Sequence, residues 1–415
     1  MAAPLSHIRV LDLSRILAGP LATQFLADMG AEVIKVERPG SGDDTRGWGP
    51  PFAIDPSDDD PGLSAYFMCC NRGKKSVAID MASPDGQDLI RKLATEVDVV
   101  VENFKVGGLA KYGLDYETLK KANPALIYCS ITGFGQDGPY AHRAGYDFLL
   151  QGMGGLMSIT GEPNATTPDG HHVGGPVKVG VAICDEVTGM NACAAILTAI
   201  IRRDKTGEGA HIDVALLDST VAALVNQAST HLVDGSVPER MGNAHPTVAP
   251  YNAFQTQDGH IILACGNDGQ FQRFCKVAGI EEVADDPRFR TNPSRIRNRD
   301  AWMPILEEAF RSKPSAWWIE NLESAGVPCG PINRIDQVFT DPQIQHRQMR
   351  RELPEPTLGH VAVTANPVRM TDHDTTAPKA PPRLGADTAS VLGEILELDT
   401  NDLAKLAQKG IISGN

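Results

Sequence analysis

Short apolar runs separated by segments of helical period fill the first third of the chain. Ile8-Arg9-Val10-Leu11-Asp12-Leu13 reads as a strand, and residues 20–29 as a helix with Pro20 near its start and Gly30 at its end. Residues 32–37 predict a second strand. A third, 75–80, follows an acidic, Pro-rich loop over about residues 39–63. A helix over about 84–95 comes next, then strands at 97–101 and 126–131. Apolar strands alternating with helices imply an α/β fold whose mostly parallel sheet is covered on both faces.

Residues 187–201 are apolar nearly all round, with Gly189, Ala192, Ala194, Ala195 and Ala199 interleaved. Such a helix is expected to be buried on every side, in a core or a subunit interface. Helical patterns continue to about 230. The period then changes to a hairpin, 251–254 and 261–264 around Asp258-Gly259. Helices rich in Arg and Glu run on to about 325, which suggests a smaller α+β domain over 226–330. Val327-Pro328-Cys329-Gly330-Pro331 marks its boundary, and 377–383 reads as a linker before two short helices. The large domain would then comprise 1–225 and 331–415.

A composition of 42% hydrophobic and 22% charged residues fits an ordinary globular protein. The net charge of −14 argues against a nucleic-acid partner, although a few converging basic groups suffice to bind an anionic ligand. The eight cysteines show no C-x-x-C or zinc-type spacing, so they are expected to be reduced core residues, with no metal site. No leading hydrophobic segment appears and no apolar run reaches about 18 residues, so a soluble, cytoplasmic protein without membrane association is expected.

Asp185 is the most informative residue. It stands where the Gly-rich stretch from Gly174 to Gly180 turns into the apolar helix. Two readings are open: a helix cap, which satisfies orphan backbone N–H groups, or a carboxylate nucleophile in dry, small-residue surroundings. The opening β-α-β unit invites a dinucleotide site with Glu37 on the ribose. Its first turn, however, lacks G-x-G-x-x-G, and Leu17 and Pro20 stand where backbone would have to approach a pyrophosphate. Arg38, Lys105 and Lys111 follow strand ends, where ligands of open α/β sheets bind, and read either as phosphate partners or as a solvated face. Gly-rich loops at 132–139 and 152–155 flank Gly145-Tyr146-Asp147. No G-x-S-x-G, H-E-x-x-H or P-loop occurs.

An ordered series of segments resembles the family III CoA-transferases, the group of formyl-CoA:oxalate and carnitine CoA-transferases. It comprises Val10 to Arg15 with Ala18-Gly19-Pro20, Gly30 to Asp43, Val101-Glu102-Asn103-Phe104, Ser130 to Gly135, and Lys205-Thr206-Gly207-Glu208-Gly209. The resemblance runs essentially end to end and implies that Asp185, in its Asp-x-x-Thr-Gly-Met context, is the catalytic nucleophile. It also implies a coenzyme A site, with acyl-CoA as substrate and no tightly bound cofactor. Ile16, Leu17 and Ala18 would line the adenine end, and Arg38 and Lys111 would meet phosphates. Cys70, Asn71, Arg72, Gly73 and Lys75 would flank the nucleotide. Asn103, Phe104 and Lys105 would hold the same moiety, and Ala144, Gly145, Tyr146 and Asp147 would run along the pantetheine.

The substrate-side glycine loop of the oxalate enzyme is not reproduced; Gly242-Asn243-Ala244-His245 stands there. That segment, with Arg143 to Asp147 and the stretch Asp43 to Pro51, looks closest to the succinyl-CoA:glutarate (dicarboxylate) subgroup, with His245 a candidate for a second carboxylate. Family architecture implies a Rossmann-like large domain, a small domain and an interlocked, ring-like homodimer. A 2-methylacyl-CoA racemase shares the fold, but that branch has a histidine where this chain has Tyr146. A non-catalytic CoA-binding protein would need no Asp185.

Overall fold

The computed structural model describes residues 3–54, 62–377 and 379–414. Chain contacts divide into two compact units. The first comprises Met1–Leu156, Val179–Ser229 and Pro342–Asn415, the second Met157–Lys178 and Thr230–Asp341.

The first unit is built on a seven-stranded sheet. Its strands are β1 (Arg9–Asp12), β2 (Glu32–Glu37), β3 (Lys75–Ile79), β4 (Val99–Glu102), β5 (Ile127–Thr132) and β6 (Ala210–Ala215), with a short edge strand Ile412–Ser413. The spatial order is β6-β5-β4-β1-β2-β3 and then Ile412–Ser413. All pairs are parallel except the last. Alternate residues serve opposite faces. Val10, Val33, Val99, Ile127 and Cys129 pack on one face with α1 (Ala18–Asp28). Leu11, Ile34, Val77, Val100 and Tyr128 pack on the other with α2 (Pro84–Thr95). The smaller helices α3 (Tyr116–Ala122) and α4 (Asp147–Met153) precede α5 (Ile183–Thr206) and α6 (Leu216–Ala223).

Strand β6 was hidden in a stretch expected to be helical. Its Ala-His-Ile-Asp-Val-Ala pattern alternates as an edge strand should, and it pairs with β5 along its whole length. Helix α5 also departs from expectation. Its buried residues Cys184, Thr188, Gly189, Ala192, Cys193 and Ile196 form one stripe, while Met190 is 57% and Ile201 59% exposed. It is therefore not buried on every side in this chain. Its length and a mean hydropathy of 1.3 over 18 residues match a membrane span, contrary to the expectation from apolar runs. Packing of the stripe on α1 and the sheet accounts for the buried part of that apolarity.

The second unit holds a three-stranded antiparallel sheet, Tyr251–Gln255, His260–Ala264 and Cys329–Pro331, over a core rich in aromatic residues that includes Phe254, Phe271, Phe310, Trp302 and Trp318. Two boundaries shift accordingly. Cys329–Pro331 pairs with His260–Ala264 instead of ending the domain, so the unit continues to Asp341. Residues 157–178 join it too, through Gly242 N–H to Gly161 O at 3.1 Å and Arg240 Nε to Glu162 O at 3.2 Å.

Residues 377–383, expected as a linker, pack on the first unit. Ala377 N–H donates to Asp28 at 2.9 Å and Gly73 N–H to Lys379 O at 3.0 Å; Pro378 lies outside the described residues. So do residues 55–61 of the acidic loop. The two C-terminal helices are Thr388–Leu396 and Thr400–Gln408.

Candidate active site

The direction in which strands are added reverses between β1 and β4, and in such sheets ligands bind outside the carboxyl ends of the strands at that point. A cavity of about 480 Å³ opens there. Its walls come from the turn after β1 (Arg15 to Ala18), the segment after β4 (Asn103 to Val106), Lys111-Tyr112, Ile131-Thr132-Gly133 and Arg143 to Tyr146. Asp185, on the first turn of α5, completes it.

Two glycine contacts bring these walls together. A Cβ on Gly189 would lie 2.7 Å from the Ala18 carbonyl oxygen, so only glycine lets α5 approach the start of α1 this closely. Asp185 is four residues earlier and therefore on the same face of the helix. Across the cavity, a Cβ on Gly133 would come within 2.5 Å of Gly145 Cα, so those two loops touch backbone to backbone.

The capping reading of Asp185 is not what the structure shows. Ala182 is the cap residue of α5 and makes no side-chain cap bond. Asp147 instead reaches across from α4, its Oδ1 accepting from Cys184 N–H at 2.8 Å and its Oδ2 from Gln151 Nε2 at 2.8 Å. Asp185 accepts no hydrogen bond among the described residues. Half-buried and unsupported, its carboxyl is pushed up to about 7, first by burial and then by the neighbouring Asp147 carboxylate. Perturbation of this kind in a cleft is characteristic of reactive groups.

Basic groups converge on the same cavity although the chain is acidic overall. Lys105, Lys111 and Arg143 form no ion pair with an acidic side chain among the described residues. Lys111 Nζ rests 4.5 Å from the Tyr112 ring centroid, and the Arg143 guanidinium lies over Phe134 and Tyr140 at 5.0 and 4.7 Å. Cations parked on aromatic rings keep their charge available for an anion. Arg15 is paired with Asp44 at 2.8 Å and lies 5.5 Å from the Phe104 centroid.

Of the residues singled out in the sequence, the cavity gathers Ile16, Leu17, Ala18, Asn103, Phe104, Lys105, Lys111, Ala144, Gly145, Tyr146 and Asp185. Asp147 stands behind them as the cap of α5. Arg38 lines an adjoining cavity of about 450 Å³ that shares Arg15, Phe104 and Tyr112 with the first.

The segment 70–75 contributes no wall to either cavity, because its side chains are committed elsewhere. Cys70 and Asn71 are fully buried, and Asn71 Nδ2 donates to Phe67 O at 2.9 Å. Arg72 forms a fork on Asp28, and Lys75 pairs with Glu32 at 2.6 Å. Gly73 has a φ of +76° and packs against Ala377. His245 belongs to the second unit, where its Nδ1 accepts from Thr247 N–H at 3.1 Å and its ring lies 5.4 Å from that of Tyr251.

Sequence reasoning missed Arg15, Tyr112 and Arg143 as wall residues, although each flanks a segment it had marked. It also missed Tyr66. Burial first, and then the Asp185 carboxylate, push that phenol up to about 12. Ile16 adds another signal. Its φ of +71° is a left-handed conformation that costs a non-glycine residue about 1–3 kcal/mol.

Comparison with known proteins places the chain in a family. A family model described as CoA-transferase family III matches residues 5–388. The chain is 48% identical over 392 residues to a succinate–glutarate CoA-transferase of Agrobacterium fabrum, covering 94% of this chain and 96% of that protein. It is 42% identical over 409 residues to the succinyl-CoA:glutarate CoA-transferase of Homo sapiens, covering 99% and 90%. The crystal structure of a CAIB/BAIF family protein from Brucella suis superposes with a TM-score of 0.84 at 47% identity, covering 95% of this chain and all of that one.

Proposed function

The chain belongs to CoA-transferase family III, and we propose that it moves coenzyme A from succinyl-CoA to glutarate or a closely similar dicarboxylate. The observation that carries the mechanism is the Asp185 carboxyl, which accepts no hydrogen bond among the described residues, inside a cavity lined by Lys105, Lys111 and Arg143. Asp185 attacks the succinyl-CoA carbonyl, forming a succinyl–aspartyl anhydride and releasing CoA as thiolate. The thiolate attacks the aspartyl carbonyl, giving an aspartyl-CoA thioester and free succinate. Glutarate then attacks that thioester, forming a glutaryl–aspartyl anhydride and thiolate once more. Attack of the thiolate on the glutaryl carbonyl yields glutaryl-CoA and restores Asp185.

Lys105, Lys111 and Arg143 supply counter-charge for the phosphates of CoA, with Arg38 in the adjoining cavity, and Asn103 and Phe104 holding the same end. Ala18 lines the cavity, and no side chain at Leu17 caps the N–H groups of Ala18 and Gly19 in this first turn of α1. They are suited to stabilise the oxyanion of each tetrahedral step. Water exclusion matters because the anhydride is hydrolysable. The exposed apolar side of α5 supports burial against a second copy in an interlocked homodimer, around a Rossmann-like large domain. A cytoplasmic location goes with this reading.

The test is a panel of free acids offered to the purified protein with succinyl-CoA, with products resolved by mass spectrometry. Glutaryl-CoA and stoichiometric succinate are expected. Hydrolysis of succinyl-CoA without acyl exchange, or exchange confined to monocarboxylates, would refute the assignment.

A further inference from the structure

The turn between β1 and α1 is gripped by side chains from several other segments. Ser14 O accepts from Lys35 Nζ at 2.9 Å. The Asn103 side chain takes both backbone groups of Arg15, at 2.8 Å from its N–H and 2.7 Å from its carbonyl. Ile16 N–H faces the two oxygens of Asp43 at 3.3 and 3.2 Å, and Cys70 Sγ approaches Ile16 O at 3.5 Å.

Two costly features coincide here. Ile16 is β-branched yet left-handed, and Asp43 is paired with Lys35 at 2.9 Å with neither side chain exposed. Glycine at position 16 would relieve the first but remove an apolar side chain from the cavity wall. Asp43 is itself fixed by Thr45, whose N–H and Oγ1 donate to it at 3.0 and 2.8 Å, and by Glu37, which accepts from its backbone N–H at 3.0 Å.

We infer that the buried Lys35–Asp43 pair is a positioning device for the transfer reaction. It holds Ile16 in the left-handed conformation, so that residues 15–18 present a preformed wall to CoA in the cavity that contains Asp185. The inference rests on the CoA-transfer reading for its consequence, but not for its geometry. The side chains of Lys35 and Asp43 are fully buried beneath the Arg38 cavity, and both act through the backbone of the turn.

The test compares Ile16→Gly with Ile16→Ala, and crosses each background with a loosened Asp43. Alanine ordinarily stabilises a chain relative to glycine. Here Ile16→Gly is expected to melt above Ile16→Ala, because only glycine adopts this φ freely. Asp43→Asn is expected to raise the CoA dissociation constant about tenfold by titration calorimetry with Ile16 present, and less than about threefold with glycine there. Its KM for succinyl-CoA rises with the dissociation constant, whereas kcat at saturation changes less. Thr45→Val, which loosens Asp43 without uncovering Lys35, is expected to move CoA affinity the same way by a smaller factor and serves if the Asp43 variant does not fold. An Ile16→Ala protein as stable as Ile16→Gly, or an equal loss of affinity in both backgrounds, overturns the inference. Failure of the unaltered protein to bind CoA would sink the functional reading instead, and the melting comparison would still decide the conformational claim.

Discussion

Asp147 accepts the Cys184 backbone N–H at 2.8 Å and so takes, from a different helix, the capping role open to Asp185. The consequence is chemical. The capping carboxylate has its hydrogen bonds, while its neighbour has none among the described residues and is pushed up to about 7 by burial and by Asp147 itself. One acid is spent on structure so that the other stays free to react.

The rate of Asp185 acylation should report this pairing. Only the ionised carboxylate attacks, so the rate in the unaltered enzyme falls as pH drops through about 7. Asp147→Asn keeps an acceptor for the Cys184 N–H but removes the like charge. Its acidic limb is expected at lower pH in single-turnover measurements. An unmoved limb would mean that Asp147 does not act on Asp185 electrostatically.

Stability should move in the opposite direction to activity. Below about pH 4 Asp185 is protonated in both folded and unfolded chains and contributes no pH dependence. Between about pH 4 and 7 the unfolded chain loses the proton while the folded chain retains it, so the fold loses stability as pH rises and levels off above. Asp185→Asn is exempt. At pH 8 it is expected to exceed the unaltered protein by the order of 2 kcal/mol, with the gap closing towards pH 4 in denaturant titrations. A gap independent of pH would contradict this.

Gly189→Ala places a methyl group 2.7 Å from the Ala18 carbonyl oxygen, a backbone atom that cannot swing aside. Helices α1 and α5 must separate, at a cost of about 1–3 kcal/mol. Because the same contact sets Asp185 beside residues 16–18, transfer should fall more than the melting temperature alone accounts for. Full activity in a folded Gly189→Ala protein would show that the close approach is not needed.

Lys111 lies over Tyr112 with no acidic partner among the described residues. Lys111→Met is therefore expected to raise KM for succinyl-CoA about tenfold, the worth of one charge-assisted contact, with little change in kcat. The penalty should shrink in high salt. An unchanged KM would remove Lys111 from the phosphate site.

Much of this was legible in the chain because the strands of the first unit are short apolar runs whose neighbours alternate between faces. Val10 and Leu11, or Cys129 and Tyr128, serve opposite cores as period-two positions must. What escaped notice depended on partners distant in sequence. Strand β6 carries His211 and Asp213 on an edge and reads as polar until β5 is set beside it. The strand Cys329–Pro331 contains two turn-forming residues and is made a strand only by pairing with His260–Ala264. The segment 70–75 was expected to flank the nucleotide, yet Arg72 and Lys75 are claimed by Asp28 and Glu32, which no local pattern reveals. Asp185 was visible as a candidate, but the residue that frees it, Asp147, lies 38 positions earlier.

The most direct measurement is covalent trapping at Asp185. The protein is incubated with succinyl-CoA, quenched with hydroxylamine, digested, and the peptide containing residue 185 analysed by mass spectrometry. The account predicts a hydroxamate on Asp185 that is absent from Asp185→Asn, together with loss of transfer in that variant. Transfer that proceeds with an unmodified Asp185 peptide, or with the adduct on another side chain, would contradict it.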